Sequence, residues 1–116
     1  KDNHIKAAGS ITKAVNLVRA RYNYKYKIEV ETSTIKEVRE AMDAGADIIM
    51  LDNMPIDEMK KAKIYIHNFA ITEASGNITE EKLIKIAEIG IDYISIGALT
   101  HSVKALDISG KIKLGD

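Results

Sequence analysis

Apolar residues recur along this chain with two alternating periods, one helical and one of a short continuous run. Ile11, Ala14, Val15 and Val18 fall on one helical face, and a polar turn leads from them to the short strand Lys27-Ile28-Glu29-Val30. Thr34-Ile35-Lys36-Glu37 is a capping box, with Thr34 as N-cap and Glu37 reaching back to it. Ile35, Val38 and Met42 then share a face, Gly45 stops the helix, and Asp47 leads into the strand Ile48-Ile49-Met50-Leu51. Pro55 suits the first turn of a third helix with Met59, Ala62 and Ile66 inward, followed by the strand Phe69-Ala70-Ile71-Thr72. The stretch "KIYIHNFAIT" also reads as one longer strand, so this unit has two readings. Thr79 caps a fourth helix whose Glu80 and Glu81 suit the positive end of the dipole. Leu83, Ile84 and Ala87 make its inner face, Gly90 ends it, and Asp92 leads into Tyr93-Ile94-Ser95-Ile96.

The phrases "AGADIIML" and "IGIDYISI" are one helix-stop, strand-start device repeated 45 positions apart. Helices alternating with apolar strands predict a parallel sheet, and right-handed crossovers point all the strand ends the same way. Those ends are expected at Glu29, Asp52, Glu73 to Ser75, and Gly97. A closed eight-stranded α/β barrel takes about 250 residues, and four units make about half of one. The fold class is therefore α/β: a partial, TIM-like barrel with parallel strands and alternating helices. An open half-barrel exposes a sheet edge and an inner face. The chain is accordingly expected to be part of a larger polypeptide, or to need a partner that closes its sheet.

Composition adds little beyond exclusions. The 116 residues, 46% hydrophobic and 29% charged, are those of an ordinary globular domain. Lysine plus arginine balance aspartate plus glutamate at 17 each, so charge gives no sign of a nucleic acid or an anionic membrane as partner. No apolar run approaches the ~20 residues of a membrane span, and no signal-peptide pattern opens the sequence. Cysteine is absent, which excludes disulfides and thiolate metal sites. A cytoplasmic location is the expectation.

Chemistry concentrates at the expected strand ends. In "ADIIMLDNMP", an apolar strand runs straight into Asp52-Asn53. Glu29 and Asp52 at successive ends would suit magnesium, which takes hard oxygen ligands and one or two carboxylates; the bland alternative is a capping Asp and a solvent-facing Glu. Alternation puts Glu31 on the same side as Glu29, a supporting group, while Asn53 reads as a turn residue. Ser75-Gly76-Asn77 joins a strand to a helix, either as an ordinary turn or as an anion cradle of backbone amides. Gly97-Ala98, followed by Leu99-Thr100-His101, is a second small-residue strand end leading to a short helix. Arg19, Arg21 and Arg39 fall on expected outer helix faces, and His67 belongs to no motif and reads as surface.

Five stretches carry a resemblance: "KDNHI" at 1–5, "KIEVE" at 27–31, "GADIIMLDNM" at 45–54, "EASGNI" at 73–78 and "YISIGALTHSVKALDIS" at 93–109. Together, in order and over essentially the whole chain, they resemble the C-terminal portion of the quinolinate phosphoribosyltransferase family. The resemblance implies that residues 1–116 are the C-terminal portion of an α/β-barrel catalytic domain, with the N-terminal domain and first barrel strands lying outside the chain. It implies a decarboxylating transfer in NAD biosynthesis: quinolinate and phosphoribosyl pyrophosphate give nicotinate mononucleotide, pyrophosphate and carbon dioxide, with Mg2+. It implies a homodimer or larger homo-oligomer. It assigns Lys1, which contacts the anionic substrates, together with Glu29 and Asp52 to catalysis and substrate binding, Glu29 and Asp52 also to the metal, and Ser75, Gly76, Asn77, Gly97 and His101 to the ribose 5-phosphate. Many members carry a second glycine where this chain has Asn77. His4 either bonds substrate or caps the first helix. The family's quinolinate-binding arginines lie upstream of "KDNH", so this chain is expected to supply the metal and phosphate part of the site and to be inactive alone. Nicotinate phosphoribosyltransferase or another barrel relative, and a non-catalytic metal- or phosphate-binding fragment, are the alternatives.

Overall fold

Four helices and five strands alternate in the computed structural model, which describes residues 9–96 and 101–104. In chain order these are α1 (Ile11–Tyr22), β1 (Glu29–Thr32), α2 (Ile35–Ala44), β2 (Ile48–Asp52), α3 (Ile56–Ile66), β3 (Ile71–Ser75), α4 (Glu80–Ile89), β4 (Tyr93–Ile96) and β5 (His101–Lys104). The strands form one sheet in the order β1-β2-β3-β4-β5. The first four are parallel, each joined to the next through a helix, as expected. β5 runs antiparallel to β4, with His101 opposite Ile96. That hairpin corrects the expectation of a short helix reached at His101. None of the described helices is long and apolar enough to cross a membrane.

Local signals place the helices. Ser10 caps α1 by accepting from the Lys13 N–H, Thr34 and Glu37 form the reciprocal capping box of α2, and Thr79 accepts from Lys82 at the start of α4. The longer-strand reading of residues 63–72 is excluded, because α3 runs to Ile66. Its inner residues Met59, Ala62 and Ile66 are wholly buried. In α4 the buried residue is Ile86, whereas Ile84 is 56% exposed, so the inner stripe is Leu83, Ile86 and Ala87 rather than Leu83, Ile84 and Ala87.

Two strands lie further along the chain than their apolar runs suggest. β1 is Glu29–Thr32, not residues 27–30, and β3 is Ile71–Ser75, not residues 69–72. Phe69 is 80% exposed. Glu29 therefore opens β1 instead of closing it. Alternation then divides the sheet cleanly. Val30, Thr32, Ile49, Leu51, Thr72, Ala74 and Ile94 face the helices and are buried with Val38, Ala41, Met59 and Ile86. By register, Glu29, Glu31, Met50, Asp52, Glu73, Ser75, Tyr93 and Ser95 share the opposite face, which no described helix covers.

The repeated Gly-x-Asp device has a physical meaning here. Gly45 and Gly90 both end their helices in the left-handed conformation. Two residues later an aspartate takes a main-chain N–H from the preceding strand region. Asp47 accepts from Ile28 at 2.8 Å, and Asp92 accepts from the N–H and hydroxyl of Thr72, both at 2.9 Å. Each carboxylate pins the start of one strand to its neighbour at the end of the sheet opposite Asp52. Arg19, expected on an outer face, is instead drawn into the first of these pins. Its guanidinium donates to Asp47 Oδ2 at 2.8 Å and to the Gly45 carbonyl at 3.1 Å. Arg39 stays outside, over the Tyr65 ring.

Burial alone would raise the Asp47 carboxyl, but the Ile28 N–H and the Arg19 guanidinium outweigh it and hold the group below the ordinary carboxylate range. A depressed folded-state pKa stabilises above the unfolded value of 3.8 and is lost as pH falls through the folded one. Asp47→Ala should therefore cost about 2 kcal/mol at neutral pH, because it strands a partly buried donor pair. The difference from wild type should shrink as pH drops below 3.8. Urea unfolding at pH 7 and pH 3 checks both; a neutral-pH change within about 0.3 kcal/mol would be the scatter of a surface substitution and would refute the pin.

Candidate functional site

The carboxyl ends of β2 and β3 are adjacent, and their last residues, Asp52 and Ser75, stand opposite one another. Both point to the face that no described helix covers. The Ser75 hydroxyl donates to Asp52 Oδ1 at 2.9 Å. The Asn53 N–H donates to the Ser75 carbonyl at 2.9 Å, so main chain and side chain tie the two strand ends together. Asn53 then turns with φ 54°, which confirms it as a turn residue, and Gly76 follows Ser75 with φ 107°. A Cβ on Gly76 would lie 2.9 Å from both the Cα and the N of Asn53. Glycine is needed here because the neighbouring β2–α3 turn crosses it. Asn77 is exposed, and α4 begins three residues later.

Lower on the same face lies a second polar group. Glu73 is only 7% exposed, and Ser95 donates its hydroxyl to Glu73 Oε2. The hydrogen bond with Glu73 is the main influence on Glu29. With burial and the charges of Glu73 and Glu31, it pushes the Glu29 carboxyl up to about 7. Glu29, Glu73 and Ser95 thus form a linked row across β1, β3 and β4. Neither Glu73 nor Ser95 was assigned a role from the sequence. The signal was available as a step of two back from Ser75, but only once β3 is placed at 71–75.

The row bears on the expected pairing of Glu29 with Asp52. Glu29 is in register with Ile48, four residues before Asp52. At ~3.3 Å per residue that separates their levels by roughly 13 Å along the strands. Glu31, in register with Met50, lies on the same face and only two residues below Asp52, roughly 7 Å along the strand. Among the described residues no cluster of three or more His, Asp or Glu side chains stands ready for a metal. Lys1, His4 and Gly97 lie outside the described residues, and His101 is placed by its pairing with Ile96.

The remaining features are elsewhere. His67 is exposed beside Phe69 at the end of α3, as its lack of a motif suggested. A groove between α3 and α4, lined by Ile56, Lys60, Ile64, Lys85 and neighbours, contains no residue of the β2–β3 rim.

Comparison with known proteins agrees with this architecture. Residues 1–111 match the family model described as quinolinate phosphoribosyl transferase, C-terminal domain. A probable nicotinate-nucleotide pyrophosphorylase (carboxylating) of Bacillus subtilis is 49% identical, over 100% of this chain and 40% of its own length. One of Methanocaldococcus jannaschii is 43% identical, over 94% of this chain and 41% of its own. The crystal structure of nicotinate-nucleotide pyrophosphorylase from Ehrlichia chaffeensis superposes with a TM-score of 0.78 at 39% identity, covering 85% of this chain and 36% of that one. The chain thus spans about two fifths of the curated relatives it matches. By sequence and by fold, it belongs to the quinolinate phosphoribosyl transferase family, in the part that forms the C-terminal domain.

Proposed function

We propose that this domain supplies the metal- and phosphate-handling rim of an enzyme that transfers phosphoribose from phosphoribosyl pyrophosphate to quinolinate, with loss of carbon dioxide. The observation that carries the reading is Asp52, held at the carboxyl end of β2 beside Ser75 on the face of the sheet that no described helix covers. Strand carboxyl ends are where parallel α/β proteins place their ligands. Relatives that match almost the whole chain bear names stating the same chemistry, among them a quinolinate phosphoribosyltransferase (decarboxylating) of Nicotiana tabacum, 46% identical over 97% of this chain.

Asp52, with Glu31 below it, fits Mg2+, which takes one or two carboxylates and completes its shell with water and phosphate oxygens. Glu29 is set apart from this pair, because it opens β1 four residues below the level of Asp52 and is hydrogen-bonded with Glu73. When bound, the ion would offset charge on the departing pyrophosphate. The β3–α4 turn of Ser75, Gly76 and Asn77, with Gly97 and His101, takes the ribose 5-phosphate, and Lys1 reaches the anionic substrates. Quinolinate is a dicarboxylate and calls for paired cations. Arg19 is engaged with Asp47, and Arg21 and Arg39 lie over tyrosine rings on the helices. Cations for quinolinate are therefore supplied from the remainder of a protein of the relatives' length, in a homodimer or larger assembly.

In that full-length protein, Asp52→Asn should lower kcat/KM on the order of 100-fold or more while leaving the unfolding midpoint nearly unchanged. Glu29→Gln should cost far less. Steady-state kinetics at varied magnesium decide this; near-normal, metal-dependent turnover of Asp52→Asn would defeat the assignment.

The 116-residue chain by itself should release no carbon dioxide from labelled quinolinate in the presence of magnesium and phosphoribosyl pyrophosphate. Burying a dicarboxylate without paired cations costs several kcal/mol even after relaxation. Adding the rest of the protein as a separate fragment should restore release. Robust release by the chain alone would show that the cations lie within it.

A further inference from the structure

Ser75 has one hydroxyl proton, and the structure shows where it goes. The Oγ donates to Asp52 Oδ1 at 2.9 Å. A hydroxyl that donates to a carboxylate offers only lone pairs to anything else, because it carries a single donor hydrogen. It cannot at the same moment donate to a phosphate oxygen. We propose that Ser75 and Gly76 are positioning residues for Asp52, forming a clasp between the β2–α3 and β3–α4 turns that aims one carboxylate oxygen at the cation. This inference rests on the reading of Asp52 as a metal-binding group and goes further by saying what orients it. It also moves the phosphate at this turn from the serine hydroxyl to backbone amides.

Three contacts make the clasp. The main-chain bond from Asn53 N–H to the Ser75 carbonyl, at 2.9 Å, fixes the spacing of the two strand ends. The hydroxyl bond fixes the rotation of the Asp52 side chain by engaging Oδ1, which leaves Oδ2 for a ligand. Gly76 closes the arrangement from above. Its missing Cβ would fall 2.9 Å from Asn53 Cα and N and 3.1 Å from Asn53 Cβ, so any side chain there pushes Asn53 away. Asn53 is bonded to Asp52 and already sits at φ 54°, a conformation with little room to adjust. Displacing it turns the carboxylate off its aim. Asp52 and Ser75 are both half-buried at the sheet end. A fixed carboxylate lowers the cost of ordering the site when the cation arrives.

The experiment is a double-variant cycle in the full-length protein, read by equilibrium Mn2+ binding with electron paramagnetic resonance, without turnover. Ser75→Ala should weaken Mn2+ binding about tenfold, the effect expected when a ligand loses its orienting partner. Ser75→Thr, which keeps a hydroxyl, should restore it to within about twofold of wild type. Combining Ser75→Ala with Asp52→Asn should be no worse than Asp52→Asn alone, because the hydroxyl then has no carboxylate to aim. Gly76→Ala should copy Ser75→Ala, with thermal unfolding checked alongside. Binding of phosphoribosyl pyrophosphate without metal should be unchanged by Ser75→Ala. If Ser75→Ala instead weakens that metal-free binding and leaves Mn2+ affinity intact, the hydroxyl serves the phosphate and the proposal is overturned. Additive effects of Ser75→Ala and Asp52→Asn overturn it too, while leaving Asp52 as the metal group. Unchanged Mn2+ affinity in Asp52→Asn alone removes the metal reading and the clasp together.

Discussion

Because side chains alternate across a strand, the register that sets Asp52 opposite Ser75 also fixes what every other residue of the sheet can do. One set of positions goes to the helices and is apolar apart from two threonines, each of whose hydroxyls is bonded: Thr32 to the Met50 carbonyl and Thr72 to Asp92. The other set carries the carboxylates and serines. A shift of one residue in β2 would bury Asp52 under α3 and expose Leu51, at a cost that no local preference could offset. The rim and the core are therefore one constraint seen from two sides.

The same sheet has different chemistry at its two ends. At the strand starts, Asp47 and Asp92 each take a main-chain N–H from the neighbouring strand region, and Arg19 neutralises the first. Those carboxylates are consumed by structure. At the strand finishes, Asp52 is held by a single hydroxyl on one oxygen. Between the ends, Glu29 and Glu73 are hydrogen-bonded to one another, and Ser95 donates to Glu73. Five acidic residues that look alike in composition thus divide into pins at the strand starts, a hydrogen-bonded floor and a rim at the strand finishes. Position relative to the strand ends decides among them, not residue type.

Much of this was legible because it is local. Capping by Thr34 and Thr79, termination at Gly45 and Gly90, and the inward stripe of α3 depend on residues within one or two turns of each other. Strand boundaries were harder for a definite reason. An uninterrupted apolar run marks a strand apolar on both faces, and β2 is one although Ile48 and Met50 stay half-buried, so Ile48 to Leu51 stood out. β1 and β3 carry Glu29, Glu31 and Glu73 on the uncovered face, so the apolar run breaks inside the strand and draws the boundary two residues too early. That displacement made Glu29 look like a strand finish and a partner for Asp52. The links from Glu73 to Glu29 and Ser95, and the crossing of Gly76 over Asn53, join residues more than twenty positions apart and have no local signature. Arg19 was misplaced for the same reason, since its partner Asp47 lies 28 residues on.

The central claim is that the cation site is at the rim and not on the floor. Anomalous diffraction from crystals of the full-length protein soaked with Mn2+ and phosphoribosyl pyrophosphate locates the ion directly. The account predicts a peak within direct or one-water reach of the Asp52 carboxylate, on the Glu31 side, with Glu29 still bonded to Glu73. A peak coordinated by Glu29 and Glu73, with Asp52 bonded only to Ser75, would contradict it.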